Sequence, residues 1–343
     1  MHSLDSLLDE AGNALDEGRY EDALEKSEEA LAQQPDDLEA LGLRAAALAE
    51  LGDWEKADDV YAQLMAREPN EPSWVLAAAE VMIRQPGDDP DRLEAGMALL
   101  ATIAGQAATD ERLHFEWLML KAISLNQQGE LEPALQTLEQ ALKLGPEDPE
   151  ARLEHAVTLF DLGRFVPAKQ ELTALGRELP EDPWPPHYLG LLAEREGDAA
   201  KAKALFGKAT ALDPEAFPAA VTLSEAQFDA AVKAAIARLP EHAKAELSNV
   251  TISVEPFPDD ESLASGEVTP TILGVFHGTP IDERSPLVAE HHLTAQIVLY
   301  QRNLERFARS HEELLEQIGV TVLHEVGHLL GLDEDELYDR GLD

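Results

Sequence analysis

The feature that most constrains this chain is a repeat with a period of 34 residues. Gly18, Ala23 and Pro35 return as Gly52, Ala57 and Pro69. Gly129, Ala134 and Pro146 return as Gly163, Ala168 and Pro180, then as Gly197, Ala202 and Pro214. Pro69 and Pro146 are 77 residues apart, nine more than two periods. One degenerate unit with an insertion fills that gap at about 72–114, with a Pro-Gly-Asp-Asp-Pro turn at 86–90. A fixed period of this length means one supersecondary unit per repeat. No unit buries its apolar face alone, so neighbours must stack.

Each unit predicts two helices. The glycine is the turn between them, where a positive φ is easily accepted. The alanine sits where the two helices approach closely. The proline stops the second helix because it cannot donate the next backbone bond. Tyr20, Trp54 and Phe165 supply a larger side chain at the start of the second helix, and Leu189-Gly190 pairs a large residue with a small one in the last unit. Period and positions together resemble the tetratricopeptide repeat (TPR), with units at 4–37, 38–71, 72–114, 115–148, 149–182 and 183–216. The resemblance implies an all-α solenoid over 1–216 whose concave face holds a peptide or partner protein. A spacer or a self-association surface, giving a homo-oligomer, is the other use of such an array. Trp74, Trp117 and Trp184 are candidates for that face, with repeat core the favoured role.

Charge narrows the partners. There are 68 acidic against 26 basic residues and a formal charge of −42. Phosphates would be repelled, which argues against nucleic acid and anionic membrane. The chain has no cysteine. That excludes disulfides and thiolate metal sites, leaves His, Asp and Glu as ligands, and fits a cytoplasmic address. The first residues, MHSLDSLLDEAGNALDEG, lack the basic start and apolar run of a secretory signal. The most apolar stretches, Trp74 to Ile83 and Met97 to Gly105, are too short for a membrane span.

After Pro214 the period stops. Ser224 is a candidate N-cap for a helix to about Leu239, ended by Pro240. Asn249 to Glu255, Thr271 to His277 and Ala295 to Tyr300 carry the β-branched composition of strands. Pro256 to Gly266 predicts a loop with at most one helical turn, and 286–294 a second loop. A short helix at Leu304 to Ala308 and a long one from His311 to about Leu330 complete an α+β pattern over 217–343.

The long helix ends in TVLHEVGHLLGLDEDEL, residues 321–337. Residues four apart on a helix differ by about 40° in azimuth and about 6 Å in rise. His324 and His328 therefore face one way and can share a Zn²⁺ ion. Glu325 lies within about 60° of His328. It can reach a water on the metal without being a ligand, and so act as the general base. A third ligand is required. Glu334 would lie about 9 Å beyond His328 on a continuous helix. Gly331 allows the helix to end and the chain to turn back, which brings Glu334 into range. Asp333 is the runner-up, followed by Asp335 and Glu336.

The stretch from about 225 to 342 resembles a small bacterial family of zincin-like, minimal metalloprotease-like domains. Leu239-Pro240, NVTISVE, LGVFHGTPIDERS, IVLYQRNLER and TVLHEVGHLLGLDEDEL carry the resemblance. It implies a compact α+β zincin fold, His324 and His328 as ligands, Glu325 as base and an acid at Glu334. The chain departs from the metzincins in having no methionine after Met119. Tyr300, His277, His291, His292 and Tyr338 are candidate donors to a developing oxyanion. Arg284 is a candidate partner for the acidic tail, and Arg302 and Arg306 predict a solvated helix face. The combined expectation is a zinc metallopeptidase to which the repeat array brings a protein or peptide substrate. A non-catalytic adaptor with a structural zinc fold, and a hydrolase of a non-peptide amide, are the rival expectations.

Overall fold

A glycine with positive φ closes five of the helix pairs. Gly18, Gly52, Gly129, Gly163 and Gly197 hold φ between 69° and 79°, a region that costs any other L-residue about 1–2 kcal/mol. The computed structural model describes residues 2–69, 71–84, 90–239, 241–247, 250–266, 268–281, 295–333 and 336–337. It divides into two compact units, residues 1–155 and 156–343.

In the first unit the helices are α1 (Leu4–Asp16), α2 (Tyr20–Gln33), α3 (Leu38–Glu50), α4 (Trp54–Arg67), α5 (Pro72–Arg84), α6 (Pro90–Ala107), α7 (Glu111–Gln127) and α8 (Leu131–Leu144). Ala23, Ala57 and Ala134 are fully buried. A larger side chain there would push the helices of a pair apart. Asp37 accepts a hydrogen bond from the Ala40 amide at 2.9 Å, and so caps α3 just after Pro35 has ended α2. The nine extra residues of the third repeat do not make a surface loop alone. α6 has 18 residues and α7 has 17, against 13 in α3 and 14 in α4. α7 also begins four residues before the expected repeat boundary at 115. The turn expected at 86–90 falls largely outside the described residues. Trp74 packs over Gly42, and Trp117 donates to the Leu100 carbonyl at 2.9 Å. Both are part of the repeat core.

α9 (Pro149–Asp161) runs across the division. The second unit continues with α10 (Phe165–Glu178), α11 (Trp184–Arg195) and α12 (Ala199–Leu212). Gly190 lets the Phe206 ring touch α11, since a Cβ there would lie 2.7 Å from it. Trp184 is 45% exposed and stands edge-on to Phe217 at 4.8 Å.

α13 (Glu225–Arg238) opens on a full capping box between Ser224 and Gln227. A six-residue helix that the sequence pattern does not predict, α14 (Glu241–Glu246), follows. β1 (Thr251–Glu255), α15 (Asp260–Ser265), β2 (Gly274–His277), β3 (Gln296–Tyr300), α16 (Gln301–Phe307) and α17 (His311–Leu329) complete the unit. The sheet order is β1-β3-β2, with β1 parallel and β2 antiparallel to β3. β2 starts three residues later than expected. The Asn303 amide donates to the Pro270 and Ile272 carbonyls at 3.0 and 2.7 Å and holds that stretch as a loop. Leu314, Ile318, Val322 and Val326 repeat every fourth residue along α17 and are buried against Phe228, Val232, Ile297 and Leu299. Each such side chain contributes about 1.5–3 kcal/mol of gross stabilisation, enough to fix the rotation of α17 about its axis.

Arg302 is exposed, as expected of a solvated face, but Arg306 is not. Arg302 binds the buried Glu305 at 2.9 Å. Arg306 donates to Glu194 of α11 from Nη2 and Nε, at 2.7 and 3.1 Å, and lies 3.6 Å from the Phe206 ring centre. Arg195 is held between Phe165 and Phe257 and donates to the Pro258 carbonyl at 2.9 Å. A four-residue spacing is the same on a solvated face and on one packed against a neighbour, and here Glu194 and Phe206 of the last repeat supply the neighbour.

Candidate metal centre

The site is built at the C-terminal end of α17. Because the Leu314–Val326 stripe faces the core, the imidazoles of His324 and His328 share the next face. Their Nε2 atoms lie 3.0 Å apart, with ring centres 4.7 Å apart. His328 Nδ1 is 3.1 Å from the Leu332 carbonyl. A carbonyl only accepts, so this contact places the proton on Nδ1 and leaves a lone pair on His328 Nε2. That lone pair points at His324 Nε2. Two nitrogens so placed need a proton or a cation between them, and paired imidazoles suit Zn²⁺.

Gly331 makes this contact possible. It holds φ at 90°. Its amide donates to His328 O at 3.1 Å, and the Leu332 amide donates to Gly327 O at 3.0 Å. This is a Schellman turn, with Gly331 as the left-handed residue. The helix therefore ends where the sequence predicts, and the turn carries the Leu332 carbonyl back under His328. Gly327, inside the His-Glu-Val-Gly-His run, has a further role. A Cβ there would collide with Leu337 Cδ2, so the returning chain lies directly on the helix and buries Leu337.

Glu325 is 4% exposed. It lies against β2, where a Cβ on Gly274 would sit 3.1 Å from Glu325 Oε1 and 2.7 Å from Thr321 Cγ2. The glycine at the start of β2 thus sets how close the carboxylate comes to the sheet. A glycine inside an apolar strand is a signal of close approach, but the sequence alone does not say what approaches. Tyr300, at the end of β3, is 2% exposed. Burial first, then Glu255, Asp259 and Glu325, push its phenol up to about 12. It remains a proton donor at neutral pH. His277 ends β2 and is half-buried.

Among the described residues no group of three or more His, Asp or Glu side chains is gathered for a metal. Glu334 and Asp335 lie outside the described residues, as do Arg284, His291, His292 and Tyr338. The other two candidate ligand acids, Asp333 and Glu336, are engaged with each other. The Glu336 amide donates to Asp333 Oδ1 at 2.9 Å, and Asp333 N lies 3.4 Å from Glu336 Oε2. Each carboxylate is turned toward the other's backbone amide.

The zincin-like metallopeptidase family profile matches residues 247–342. Tetratricopeptide repeat profiles match residues 14–81 and 125–194, and a second such profile matches 98–149. The C-terminal part is thus a zincin-like metallopeptidase domain and the N-terminal part is made of TPR repeats. No curated protein matches the chain. Among solved structures, a tetratricopeptide repeat protein from Parabacteroides merdae aligns with a TM-score of 0.50 at 17% identity, covering 61% of this chain and 78% of that one. PilW, a type IV pilus biogenesis factor, aligns at 0.51 and 18% identity, covering 62% and 94%. Likeness at this identity concerns the repeat fold alone. No helix of the described residues is long and apolar enough to cross a membrane.

Proposed function

We propose that the chain is a zinc-dependent metallopeptidase, with a substrate-recruiting part at 1–216 and the catalytic part at 217–343. The observation that carries this is the convergence of His324 and His328 Nε2 at 3.0 Å, beside the buried Glu325. His324, His328 and Glu334 would hold the ion. Bound Zn²⁺ supplies Lewis-acid polarisation and a water of lowered pKa. Glu325 takes a proton from the water that adds to the scissile carbonyl and returns it to the departing nitrogen. The Leu332 carbonyl keeps the His328 proton on Nδ1. Tyr300, a phenol at working pH, is the described residue best suited to donate to the developing oxyanion. β2 is an edge strand of the described sheet, and an extended peptide can pair along it. The repeat array presents a protein substrate, and a cytoplasmic address fits the absence of cysteine.

Metal analysis of the purified full-length protein tests the ligand assignment. One zinc per chain is expected in the wild type and in Glu325→Gln, and none in His324→Ala. Zinc retained by His324→Ala would place the metal elsewhere. Zinc retained with no hydrolysis in the wild type would favour the adaptor with a structural zinc fold.

A further inference from the structure

Helix α17 has a second open surface, on a face other than that of His324 and His328. Its N-terminal half and α13 enclose a groove of about 850 Å³. Ala231, Ala234, Ala235 and Gly319 leave the floor low, and Leu315 and Leu323 stand along it. Leu315 is 42% exposed, although its neighbours Leu314 and Ile318 are fully buried.

Gly319 is the informative residue. It lies in the middle of α17, where glycine weakens a helix relative to alanine. Among the described residues a Cβ at this position would meet nothing within 4 Å. Their packing therefore does not call for glycine here. The close approach of a second backbone would.

The edges of the groove carry opposite charges. Glu312 and Glu316, one turn apart and both exposed, edge the α17 side, and Arg238 edges the α13 side. The occupant must be apolar along one ridge and basic along the flank that meets α17. A second copy of the chain, at −42, is a poor match for that flank. We propose that the α13–α17 groove docks an amphipathic helix of a partner protein, its apolar ridge over Gly319 and its lysines or arginines along Glu312 and Glu316. Leu315 to Leu323 spans about 12 Å, so about two turns of the partner helix are in contact. The docked helix would lie on the same α17 that carries His324 and His328, and the residues lining this groove all come from 231–323. The inference does not depend on hydrolysis.

The test uses the full-length protein and a labelled synthetic helix of about 14 residues, with leucines at i, i+3, i+4 and i+7 and lysines on one flank. Its controls are a scrambled peptide of the same composition and a version with glutamate in place of lysine. Saturable one-to-one binding of the lysine peptide is expected, with the scrambled peptide about tenfold weaker or worse. Gly319→Leu and Ala234→Arg should each weaken the lysine peptide about tenfold. Glu312→Lys with Glu316→Lys should weaken it and create binding of the glutamate peptide. Circular dichroism checks that each variant is folded, and the surface changes at 234, 312 and 316 carry the test if Gly319→Leu is not. No binding, equal binding of the scrambled peptide, or indifference to these folded variants would overturn the proposal.

Discussion

At the scale of single residues, burial decides which groups keep their ordinary chemistry. His187 sits among Trp184, Tyr188, Phe206 and Phe217, with Arg306 near. Burial first, and Arg306 second, hold its imidazole down at about 4. The folded protein therefore prefers this histidine neutral, whereas the unfolded chain protonates it below about 6.5. Stability from this group is fully present above about pH 6.5 and is lost as pH falls toward 4, by about 3 kcal/mol in all. Denaturant titrations across that window should show the loss, and His187→Phe should flatten the slope there. An unchanged slope would mean the imidazole titrates normally. The shared face of His324 and His328 was legible at this scale from their spacing alone. Gly274 and Gly327 were not, because a glycine in a pattern shows that room is needed and does not show for what. Arg306 was misread for a related reason, since a charge in a sequence carries no record of a carboxylate 112 residues away.

At the scale of elements, α17 joins three requirements in 19 residues. Its buried stripe fixes its rotation, that rotation aims the histidines, and the Schellman turn fixes a tautomer. Replacing Gly331 by alanine forces a left-handed φ on a residue with a Cβ. It should cost about 1–2 kcal/mol in denaturant unfolding, and Gly331→Asn should cost less because asparagine tolerates that region. Equal stability of all three would mean that the turn relaxes without loss. The end of α17 was legible because Gly331 is a breaker with a mechanism. The start of β2 was not, because the Asn303 side chain holds residues 270–272 in a loop, and no local propensity encodes such a contact.

At the scale of the whole molecule, the 34-residue period made the repeat fold legible, and the loss of that period after Pro214 is where the sequence draws a boundary. Compact packing divides elsewhere. Residues 156–343 form one unit, in which Glu194, Arg195 and Phe206 of the last repeat hold Arg306, Phe257 and Asp260. Arg306 and Glu194 are each about one-fifth exposed, and separating such a pair leaves two partly desolvated charges alone. A fragment of residues 156–343 should therefore unfold at a higher temperature than one of 217–343, by several degrees for each kcal/mol lost. Equal melting temperatures would show that these contacts add nothing to the smaller fragment.

In the proposed reaction Glu325 moves the proton in a hydrolysis supported by His324 and His328. Zinc-loaded full-length wild type and Glu325→Gln, matched in metal content, can be incubated with a mixed peptide library and followed by mass spectrometry. The wild type should cleave peptide bonds, and Glu325→Gln should cleave them at least about 100-fold more slowly. Equal rates in the two proteins, or no cleavage by the zinc-loaded wild type, would contradict the account.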